Sequence, residues 1–242
     1  MALSLPRLLV FDLDGTLIDS RIDLTNSVNA TLKHFGKQTL AEPTIAGYIG
    51  DGVAALVRRA LAHEHMIPDE PNRHPAPHDE AFVAEAVEWF IRYYMVHKLD
   101  YTYVYPGVME SLETIRARHP RLAMAVLTNK PVRPSRAICE HFGLDKYFFA
   151  NYGGNSFSTK KPEPEGLLTL IAQASELRAS VSPILPSETV MIGDSHVDVE
   201  TARAAGTRSL GCLFGLSPQS LAAAGPDISV DRADEWPAAL GL

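Results

Sequence analysis

The sequence predicts an α/β fold, in which helices cover both faces of a parallel sheet and an all-α domain is inserted after the first strand. Three observations support this prediction. An apolar run at residues 8–11 predicts a buried strand near the start of the chain. From Pro106 onward, similar apolar runs alternate with helical patterns. The chain between residues 18 and 102 has helical patterns and no parallel-strand signal.

The first predicted strand ends at two carboxylates. Periodicity alone does not distinguish residues 8–11 from a short helix, but in an extended chain the side chains of Asp12 and Asp14 share one face. Gly15 then permits a sharp turn. Two adjacent acids at the end of a buried strand repel each other and lose hydration, so we interpret the pair as functional. The alternative is a solvated turn capped by Asp14 or Thr16.

The inserted segment predicts helices. Thr25 or Asn26 is expected to cap the first of them, and a second helix begins after Gly52. A third, strongly amphipathic helix spans about residues 79–98. Ahead of it, the proline-rich residues 66–80 predict an ordered loop or a mobile insertion.

The remainder of the chain predicts the sheet. Helices are expected at about residues 107–118, 133–142, 163–177 and 196–205, and strands at 122–127, 147–150, 189–192, 209–214 and 228–230. Strand–helix alternation places successive strands in parallel. Residues 1–17 and 103–242 are therefore predicted to form one Rossmann-like domain, with residues 18–102 as the inserted all-α domain.

Composition narrows the classes of protein to consider. Hydrophobic residues make up 46% of the chain, which is enough for a substantial core. The net charge of −7 and the lack of a basic stripe argue against nucleic acid as the main partner. Cys139 and Cys212 form no CxxC pair, so neither a disulfide framework nor a zinc site is expected. With no membrane-length apolar run and no room for a signal peptide before the first strand, we expect a soluble cytoplasmic protein, monomeric or homodimeric.

Polar side chains follow the predicted strands at the points where the strands end. In chain order they are Asp12, Asp14, Thr128, Asn129, Lys161, Asp194 and Asp198. Open parallel sheets bind ligands beyond the carboxyl ends of their strands. We therefore expect these side chains to meet in one cleft.

The same residues resemble the four motifs of the haloacid dehalogenase-like hydrolase superfamily. The matching stretches are Asp12-Leu13-Asp14-Gly15-Thr16, Thr128-Asn129, Lys161-Pro162 and Gly193-Asp194 with Asp198. The inserted helices resemble the small helical cap of that superfamily. Finer features look like phosphoglycolate phosphatases: Ile49-Gly50-Asp51-Gly52, Tyr105-Pro106-Gly107, Thr128-Asn129-Lys130-Pro131, Lys161-Pro162-Glu163-Pro164 and Ala202-Arg203-Ala204-Ala205-Gly206. The resemblance covers nearly the whole chain and implies a phosphatase for a small phosphorylated metabolite, with 2-phosphoglycolate as the expected substrate.

The residue chemistry also favours phosphate-ester hydrolysis. Asp12 can attack phosphorus and carry it as an aspartyl-phosphate. Asp14 can protonate the leaving alkoxide and then accept a proton from water, which requires a raised pKa, expected from neighbouring carboxylates. A carbon–halogen bond would not need this second acid, because halide leaves without a proton. Thr128, Asn129 and Lys161 can donate to phosphoryl oxygens.

Charge counting implies a metal ion. Asp12, Asp14, Asp194 and Asp198 carry four negative charges when ionised, at a place that must receive a phosphate dianion. One Mg²⁺ and Lys161 supply three positive charges, and protonation of Asp14 balances the rest. Asp12 and Asp194 are the expected direct ligands, while Asp198 either binds the metal or holds a metal-bound water. The resemblance implies that Asp14 binds through its main-chain carbonyl. Helix N-capping is the alternative role for Asp194 and Asp198.

The inserted helices are expected to select the substrate. Gly50, Asp51 and Gly52 open a helix whose free amides can receive an anion such as a carboxylate. Arg58 and Arg59 are better explained as part of a solvated helix face. Binding of the substrate by Gly50, Asp51 and Gly52 is therefore the expected role of the cap.

Other functions remain open from the sequence. A phosphosugar mutase or a pyrophosphatase would share the same core, and a phosphonate hydrolase would need a Schiff-base lysine, for which Lys33 is the candidate. A binding protein on an inactive scaffold is disfavoured, because every motif position retains the required chemistry. His196 lies inside the fourth motif without an assigned role. Four further histidines are spaced too irregularly to predict a metal site: His63, His65, His74 and His78.

Overall fold

The computed structural model describes residues 5–63, 79–177 and 182–242. Of the proline-rich stretch 66–80, only residues 79 and 80 are described, so the expected loop or insertion lies outside the described residues. None of the described helices combines the length and apolar character needed to cross a membrane.

The chain folds as two compact units. The first combines Met1–Asp19 with Tyr103–Leu242, and the second is Ser20–Thr102. The second unit interrupts the first between two short strands, Ile18–Asp19 and Tyr103–Val104, which pair antiparallel.

The described residues of the first unit contain a six-stranded parallel sheet, which confirms the predicted α/β class. The order across this sheet is β5-β4-β1-β6-β7-β8, while β2 and β3 form the separate antiparallel pair. In chain order the strands are β1 (Leu8–Phe11), β2 (Ile18–Asp19), β3 (Tyr103–Val104), β4 (Ala123–Leu127), β5 (Asn151–Tyr152), β6 (Thr189–Gly193), β7 (Arg208–Cys212) and β8 (Ile228–Val230).

The helices divide between the two units. The second unit holds α1 (Arg21–His34), α2 (Glu42–Ala46), α3 (Val53–Ala62) and α4 (Glu80–His97). The first unit holds α5 (Val108–Arg118), α6 (Val132–His141), α7 (Glu165–Glu176), α8 (His196–Ala205), α9 (Pro218–Ala224) and α10 (Trp236–Leu240). Short 3-10 helices occur at Asp145–Tyr147, Pro186–Glu188 and Ala233–Glu235.

Strand β1 lies in the middle of the sheet and is covered on both faces. All four of its residues are fully buried. Because side chains alternate along a strand, Leu8 and Val10 share a face, and they belong to the core cluster that α7 and α8 also contribute to. On the opposite face, the ring of Phe11 lies 5.4 Å from that of Trp236 at the start of α10. This burial explains the uninterrupted apolar run that identified the strand.

The strand register brings the carboxyl ends of the central strands level. Phe11 at the end of β1 pairs with Val126 of β4 on one side and with Ile192 of β6 on the other. The residues that follow these three strands therefore lie along one edge of the sheet. This edge is where the polar residues of the sequence motifs are found.

Two local predictions were wrong. The first helix begins at Arg21, so Thr25 and Asn26 lie inside it and do not cap it; the Leu24 N–H already closes the first turn on the Ser20 carbonyl at 3.0 Å. The strand expected at residues 147–150 is replaced by a 3-10 turn and by β5, which starts later. The reason is the hydrogen bonding of the backbone, because the N–H groups of Tyr147 and Phe148 donate to carbonyls three residues back and the first bond to β4 comes from the Phe149 N–H.

The second unit has a core of its own, formed by the facing apolar sides of α1, α3 and α4. Its first helix and its last residues are joined by Asp23, whose carboxylate is almost completely buried. This carboxylate accepts hydrogen bonds from the Tyr101 N–H and from both the N–H and the hydroxyl of Thr102, the last at 2.7 Å. A buried acceptor with several donors stabilises a fold chiefly because its loss leaves those donors unsatisfied.

Replacing Asp23 by Ala should therefore lower the free energy of unfolding by about 2–4 kcal/mol, since buried donors would lose a charged acceptor. Urea denaturation followed by circular dichroism measures this change. Asp100→Ala is the matched control, because that carboxylate is exposed and its removal should change stability by no more than about 0.5 kcal/mol. Equal effects of the two substitutions would contradict the assigned role of Asp23.

Candidate active site

The candidate site lies in the first unit, at the carboxyl ends of β1, β4 and β6. Asp12 follows β1, Thr128 follows β4 and Asp194 follows β6. Lys161 lies on the loop between β5 and α7, and Asp198 lies in the first turn of α8. All five side chains belong to buried residues.

The centre of the site is a buried lysine between two aspartates. The Lys161 ammonium nitrogen lies 2.9 Å from Asp12 Oδ1 and 2.6 Å from Asp198 Oδ1. Burial alone would lower the pKa of Lys161, but the two carboxylates outweigh burial and hold this pKa above its ordinary range. Lys161 is therefore charged throughout the neutral range and neutralises part of the acidic cluster.

Three carboxylates converge next to this lysine. One oxygen from each of Asp12, Asp194 and Asp198 lies within 4.8 Å of the others. Burial raises the pKa of Asp12 to about 6, with Lys161 opposing the rise and Asp198 adding to it. Burial, followed by the charges of Asp198 and Asp12, also raises the pKa of Asp194 well above its ordinary value. When ionised, these three carboxylates carry more negative charge than the Lys161 ammonium balances.

This donor set fits a hard divalent cation. The three carboxylates offer only oxygen atoms, which are the ligands that Mg²⁺ prefers. Asp194 Oδ2 accepts a hydrogen bond from the Leu216 N–H at 2.7 Å, which fixes this carboxylate. Asp198 is more heavily engaged, since its Oδ2 accepts from both the N–H and the hydroxyl of Ser195 while Oδ1 faces Lys161. Asp198 thus makes the helix-capping contact considered from the sequence and also orients the lysine.

Glycines let the backbone approach these carboxylates closely. Gly15 has a φ of +85°, and a β-carbon there would overlap the carboxylate of Asp194. A β-carbon at Gly193 would overlap the carboxylate of Asp198, and one at Gly215 would overlap Asp194. The first two glycines lie within the sequence motifs, whereas Gly215 was not identified from the sequence.

The loop that carries Lys161 is fixed by side chains on both sides. The Asn129 side-chain amide donates to the Lys161 carbonyl at 3.0 Å. Farther along, the Glu165 carboxylate accepts from the hydroxyls of Ser158 and Thr159 and from the Thr159 N–H. Asn129 was expected to donate to substrate, and one of its two amide hydrogens is already used in this contact. Sequence reasoning did not identify Glu165.

Asp14 lies apart from the carboxylate cluster. Its two carboxylate oxygens are 2.9 Å and 3.0 Å from the Lys130 ammonium nitrogen. The pKa increase expected for Asp14 from neighbouring carboxylates stays a prediction, and the structure adds a cation, Lys130, as a close ionic partner. Lys130 was noted from the sequence only as part of a finer motif. Its position directly after Thr128 and Asn129, at the end of a predicted strand, was the sequence feature that could have indicated a place in the site.

The Thr128 side chain takes part in the turn that follows β4. Its Oγ1 accepts from the Lys130 N–H at 3.2 Å, and no acceptor for its own hydroxyl hydrogen occurs among the described residues. His196, the first residue of α8, is partly exposed. Its Nδ1 is buried and has no hydrogen-bond partner in the described part of the chain. The Thr128 hydroxyl hydrogen is therefore available to a ligand, whereas the His196 Nδ1 is closed off from solvent.

The expected anion-binding residues of the helical insertion lie in the second unit. Gly50, Asp51 and Gly52 precede α3, and Gly50 and Gly52 both have positive φ values. Asp51 forms an ion pair with Arg59, while the exposed Arg58 pairs with Glu80. Binding of substrate by this segment stays a prediction. Of the four histidines considered for a metal, only His63 is described, and it contacts the Tyr48 hydroxyl at 2.8 Å.

Comparison with known proteins identifies similarities over almost the whole chain. Residues 9–212 match the profile of the haloacid dehalogenase-like hydrolase family. A protein named phosphoglycolate phosphatase from Chromobacterium violaceum is 36% identical over 93% of this chain and 92% of its own length. Phosphoglycolate phosphatase 1 of Pseudomonas aeruginosa is 34% identical over 96% of this chain and 78% of its own. The crystal structure of a predicted phosphoglycolate phosphatase from Haemophilus somnus aligns with a TM-score of 0.83 and 28% identity, covering 97% of this chain and 98% of that one.

The raised pKa of Asp12 leads to a prediction about stability. Its pKa is about 6 in the folded chain and 3.8 ordinarily, so the unfolded state releases this proton first as pH rises. The contribution of Asp12 to the stability of the metal-free protein should therefore fall as pH rises from about 4 to about 6. A divalent cation offsets this loss by binding the ionised form. At a 100-fold excess over its Kd, Mg²⁺ should raise Tm by about 5–10 °C at neutral pH and by clearly less near pH 5.

Thermal unfolding with Mg²⁺ or EDTA at the two pH values measures both effects. Asp194→Asn should stabilise the metal-free protein at neutral pH and abolish the Mg²⁺-induced shift. Asp100→Asn, which alters an exposed carboxylate, should keep the shift. A Mg²⁺ effect of the same size at both pH values would contradict the proposed charge imbalance.

Proposed function

Since the chain belongs to the haloacid dehalogenase-like hydrolases and is a phosphatase, we propose that it is a Mg²⁺-dependent phosphomonoester hydrolase acting on 2-phosphoglycolate. The shared name of the similar enzymes supports this choice of ester. The cluster of Asp12, Lys161 and the two later aspartates supports the type of chemistry. The reaction is proposed to pass through an aspartyl-phosphate on Asp12.

The observation that carries the proposal is the Lys161 ammonium held between Asp12 and Asp198, with Asp194 beside them. Helix capping accounts for one oxygen of Asp198, but it gives no reason to bury Asp12 and Asp194 together. Buried carboxylates that outnumber their cationic partners destabilise a fold. Their arrangement with a lysine is what a pocket for a phosphoryl dianion and a carboxylate nucleophile needs.

In the first half-reaction, a carboxylate oxygen of Asp12 forms a bond to phosphorus. The bond between phosphorus and the ester oxygen breaks, and its electron pair stays on that oxygen. The proton of Asp14 passes to this oxygen, so that glycolate leaves as a neutral alcohol group rather than as an alkoxide. Lys161 and the Thr128 hydroxyl are proposed to donate to the phosphoryl oxygens while negative charge builds up on them.

In the second half-reaction, Asp14 has become a carboxylate and accepts a proton from a water molecule. The water oxygen bonds to phosphorus, and the bond from phosphorus to the Asp12 oxygen breaks. Inorganic phosphate is released and Asp12 returns to its carboxylate form. Asp14 regains the proton it gave up, so the cycle closes without any other acid or base.

The metal is proposed to bind to the carboxylates of Asp12 and Asp194, together with the main-chain carbonyl of Asp14. When bound, Mg²⁺ supplies positive charge that offsets the carboxylates and the phosphoryl group. Asp198 is proposed to hold Lys161 in place, and its capping contacts with Ser195 support this role. The sequence-based expectation that Asp198 also binds the metal, or holds a water bound to it, stays a prediction.

The second unit is proposed to supply the contacts that distinguish substrates. Gly50, Asp51 and Gly52 precede the ten-residue helix α3, whose first N–H groups can receive the carboxylate of 2-phosphoglycolate. The ion pair between Asp51 and Arg59 offsets the negative charge of Asp51 there. Arg59 is therefore a better candidate than Arg58 for assisting the binding of the substrate carboxylate, because Arg58 is paired with Glu80.

Replacing Asp12 by Asn should lower kcat by at least about 10⁴-fold, because the amide cannot form the phosphoryl intermediate. Release of inorganic phosphate measures the loss, and circular dichroism checks the fold. Asp231→Asn changes an exposed aspartate of the same unit and should keep full activity. Retained activity in Asp12→Asn would remove the proposed nucleophile.

A substrate panel separates 2-phosphoglycolate from the alternatives. We expect 2-phosphoglycolate to give the highest kcat/KM among this ester, sugar phosphates, nucleoside monophosphates and pyrophosphate, and EDTA to abolish turnover. Mg²⁺ should restore it. Conversion of a sugar phosphate to its isomer without phosphate release would instead indicate a mutase. Preference for another ester would keep the phosphatase chemistry and overturn the proposed substrate.

A further inference from the structure

A second buried lysine lies at the edge of the site. The side chain of Lys130 is only 4% exposed, and its ammonium nitrogen contacts both carboxylate oxygens of Asp14, at 2.9 Å and 3.0 Å. The two residues come from different elements, because Asp14 follows β1 and Lys130 follows β4. Burying an ammonium group costs hydration, so a buried lysine in an ion pair calls for an explanation.

The ion pair is not needed to fix the loop on which Lys130 lies. The Lys130 N–H already donates to Thr128 Oγ1 at 3.2 Å, and the Lys130 carbonyl accepts from the Gly154 N–H at 2.9 Å. The next stretch is held by the Val132 N–H, which donates to the Asn155 side chain at 2.9 Å. The backbone is therefore anchored on both sides without help from the lysine side chain. The side chain has a separate target, which is Asp14.

The two buried lysines serve different carboxylates. Lys161 contacts Asp12 and Asp198, which belong to the three-carboxylate cluster that fits a divalent cation. Lys130 contacts Asp14, whose side chain is outside that cluster. Two contacts from one ammonium to the two oxygens of one carboxylate restrict the rotation of that carboxylate more than a single contact does.

We propose that Lys130 is a positioning residue that sets the orientation of Asp14 for both proton transfers. It holds both oxygens of the ionised carboxylate for the water step, and it holds the oxygen without the proton when Asp14 acts as the acid. The inference rests on the proposed function, because it assumes that Asp14 is the acid and base of the phosphatase reaction. In this proposal Lys130 acts through its contact with Asp14 and not by binding the phosphoryl group or the attacking oxygen. Its loss should therefore harm reactions in proportion to their need for a proton on the leaving group.

The test compares three esters with the full-length wild-type and Lys130→Met proteins in the presence of Mg²⁺. For 2-phosphoglycolate and ethyl phosphate, whose leaving groups need a proton, kcat/KM should fall by about 10-fold or more, a part of the usual acid–base contribution. For p-nitrophenyl phosphate, whose leaving group needs none, kcat/KM should change by less than about 3-fold. Its kcat should nevertheless fall, with a burst of p-nitrophenol, because the water step still needs Asp14.

Ethyl phosphate separates this role from direct binding of the substrate. If Lys130 held the carboxylate of 2-phosphoglycolate, its loss would weaken reaction with that ester and leave ethyl phosphate unchanged, which would overturn the proposal. An equal fall in kcat/KM for all three esters would also overturn it, because a merely structural role predicts uniform loss. Retained kcat/KM for p-nitrophenyl phosphate itself demonstrates that the variant is folded.

Two further variants complete the design. Lys130→Arg keeps the positive charge and should recover much of the lost kcat/KM for ethyl phosphate. If Lys130→Met does not fold, Lys130→Arg decides the question: its kcat/KM for ethyl phosphate divided by its kcat/KM for p-nitrophenyl phosphate must fall below the wild-type ratio.

Lys160→Met is the control. It removes an exposed lysine next to Lys161 and should change no kinetic parameter. Failure of the proposed function is distinguishable in the wild-type protein. Hydrolysis of none of the three esters would overturn the phosphatase chemistry, whereas poor hydrolysis of 2-phosphoglycolate alone would overturn only the proposed substrate.

Discussion

The site depends on one ammonium group that is shared by two buried carboxylates. Lys161 lies 2.9 Å from Asp12 and 2.6 Å from Asp198, and without it the cluster would consist of buried negative charges alone. Much of the surrounding structure serves this contact. The register of β1 with β4 and β6 brings the strand ends level, glycines admit the carboxylates, and Asn129 holds the backbone of Lys161 itself. Burial, together with the negative charge that the lysine leaves unbalanced, raises the pKa values of Asp12 and Asp194.

The two aspartates of the proposed chemistry, the nucleophile and the acid–base group, contact different lysines. In the proposed reaction, bond making at phosphorus involves Asp12, which lies with Lys161 and the other cluster carboxylates. Proton transfer involves Asp14, which lies with Lys130. Asp12 and Asp14 are only two residues apart, yet they lie against different cations that come from different loops. Such separation allows one carboxylate to act as a nucleophile and its neighbour as an acid and base.

Much of this arrangement could be predicted from the sequence, because two simple rules apply. An uninterrupted apolar run identifies a strand buried on both faces, and parallel strands present their carboxyl ends at one edge. These rules bring Asp12, Thr128 and Asp194 together. They do not give the partner of Asp14, since a lysine has several rotatable bonds and the sequence does not fix where its ammonium group lies. Gly215 and Glu165 were missed for a similar reason, as their roles depend on contacts with Asp194 and Thr159 that local patterns do not encode.

The central position of β1 has a consequence for how the protein is made. Leu8 pairs with Ala123 and with Thr189, so this strand leaves the ribosome long before either neighbour exists. The second neighbour follows 181 residues later, by the difference of the two residue numbers, which at typical translation speeds is about 10–35 seconds. β1 has neither neighbour until β4 has been made, and one of its edges stays unpaired until β6 has been made. Ser20–Thr102 is complete before either neighbour and has a core of its own. The helical unit can thus fold during synthesis, whereas the catalytic sheet must wait until almost the whole polypeptide has been translated.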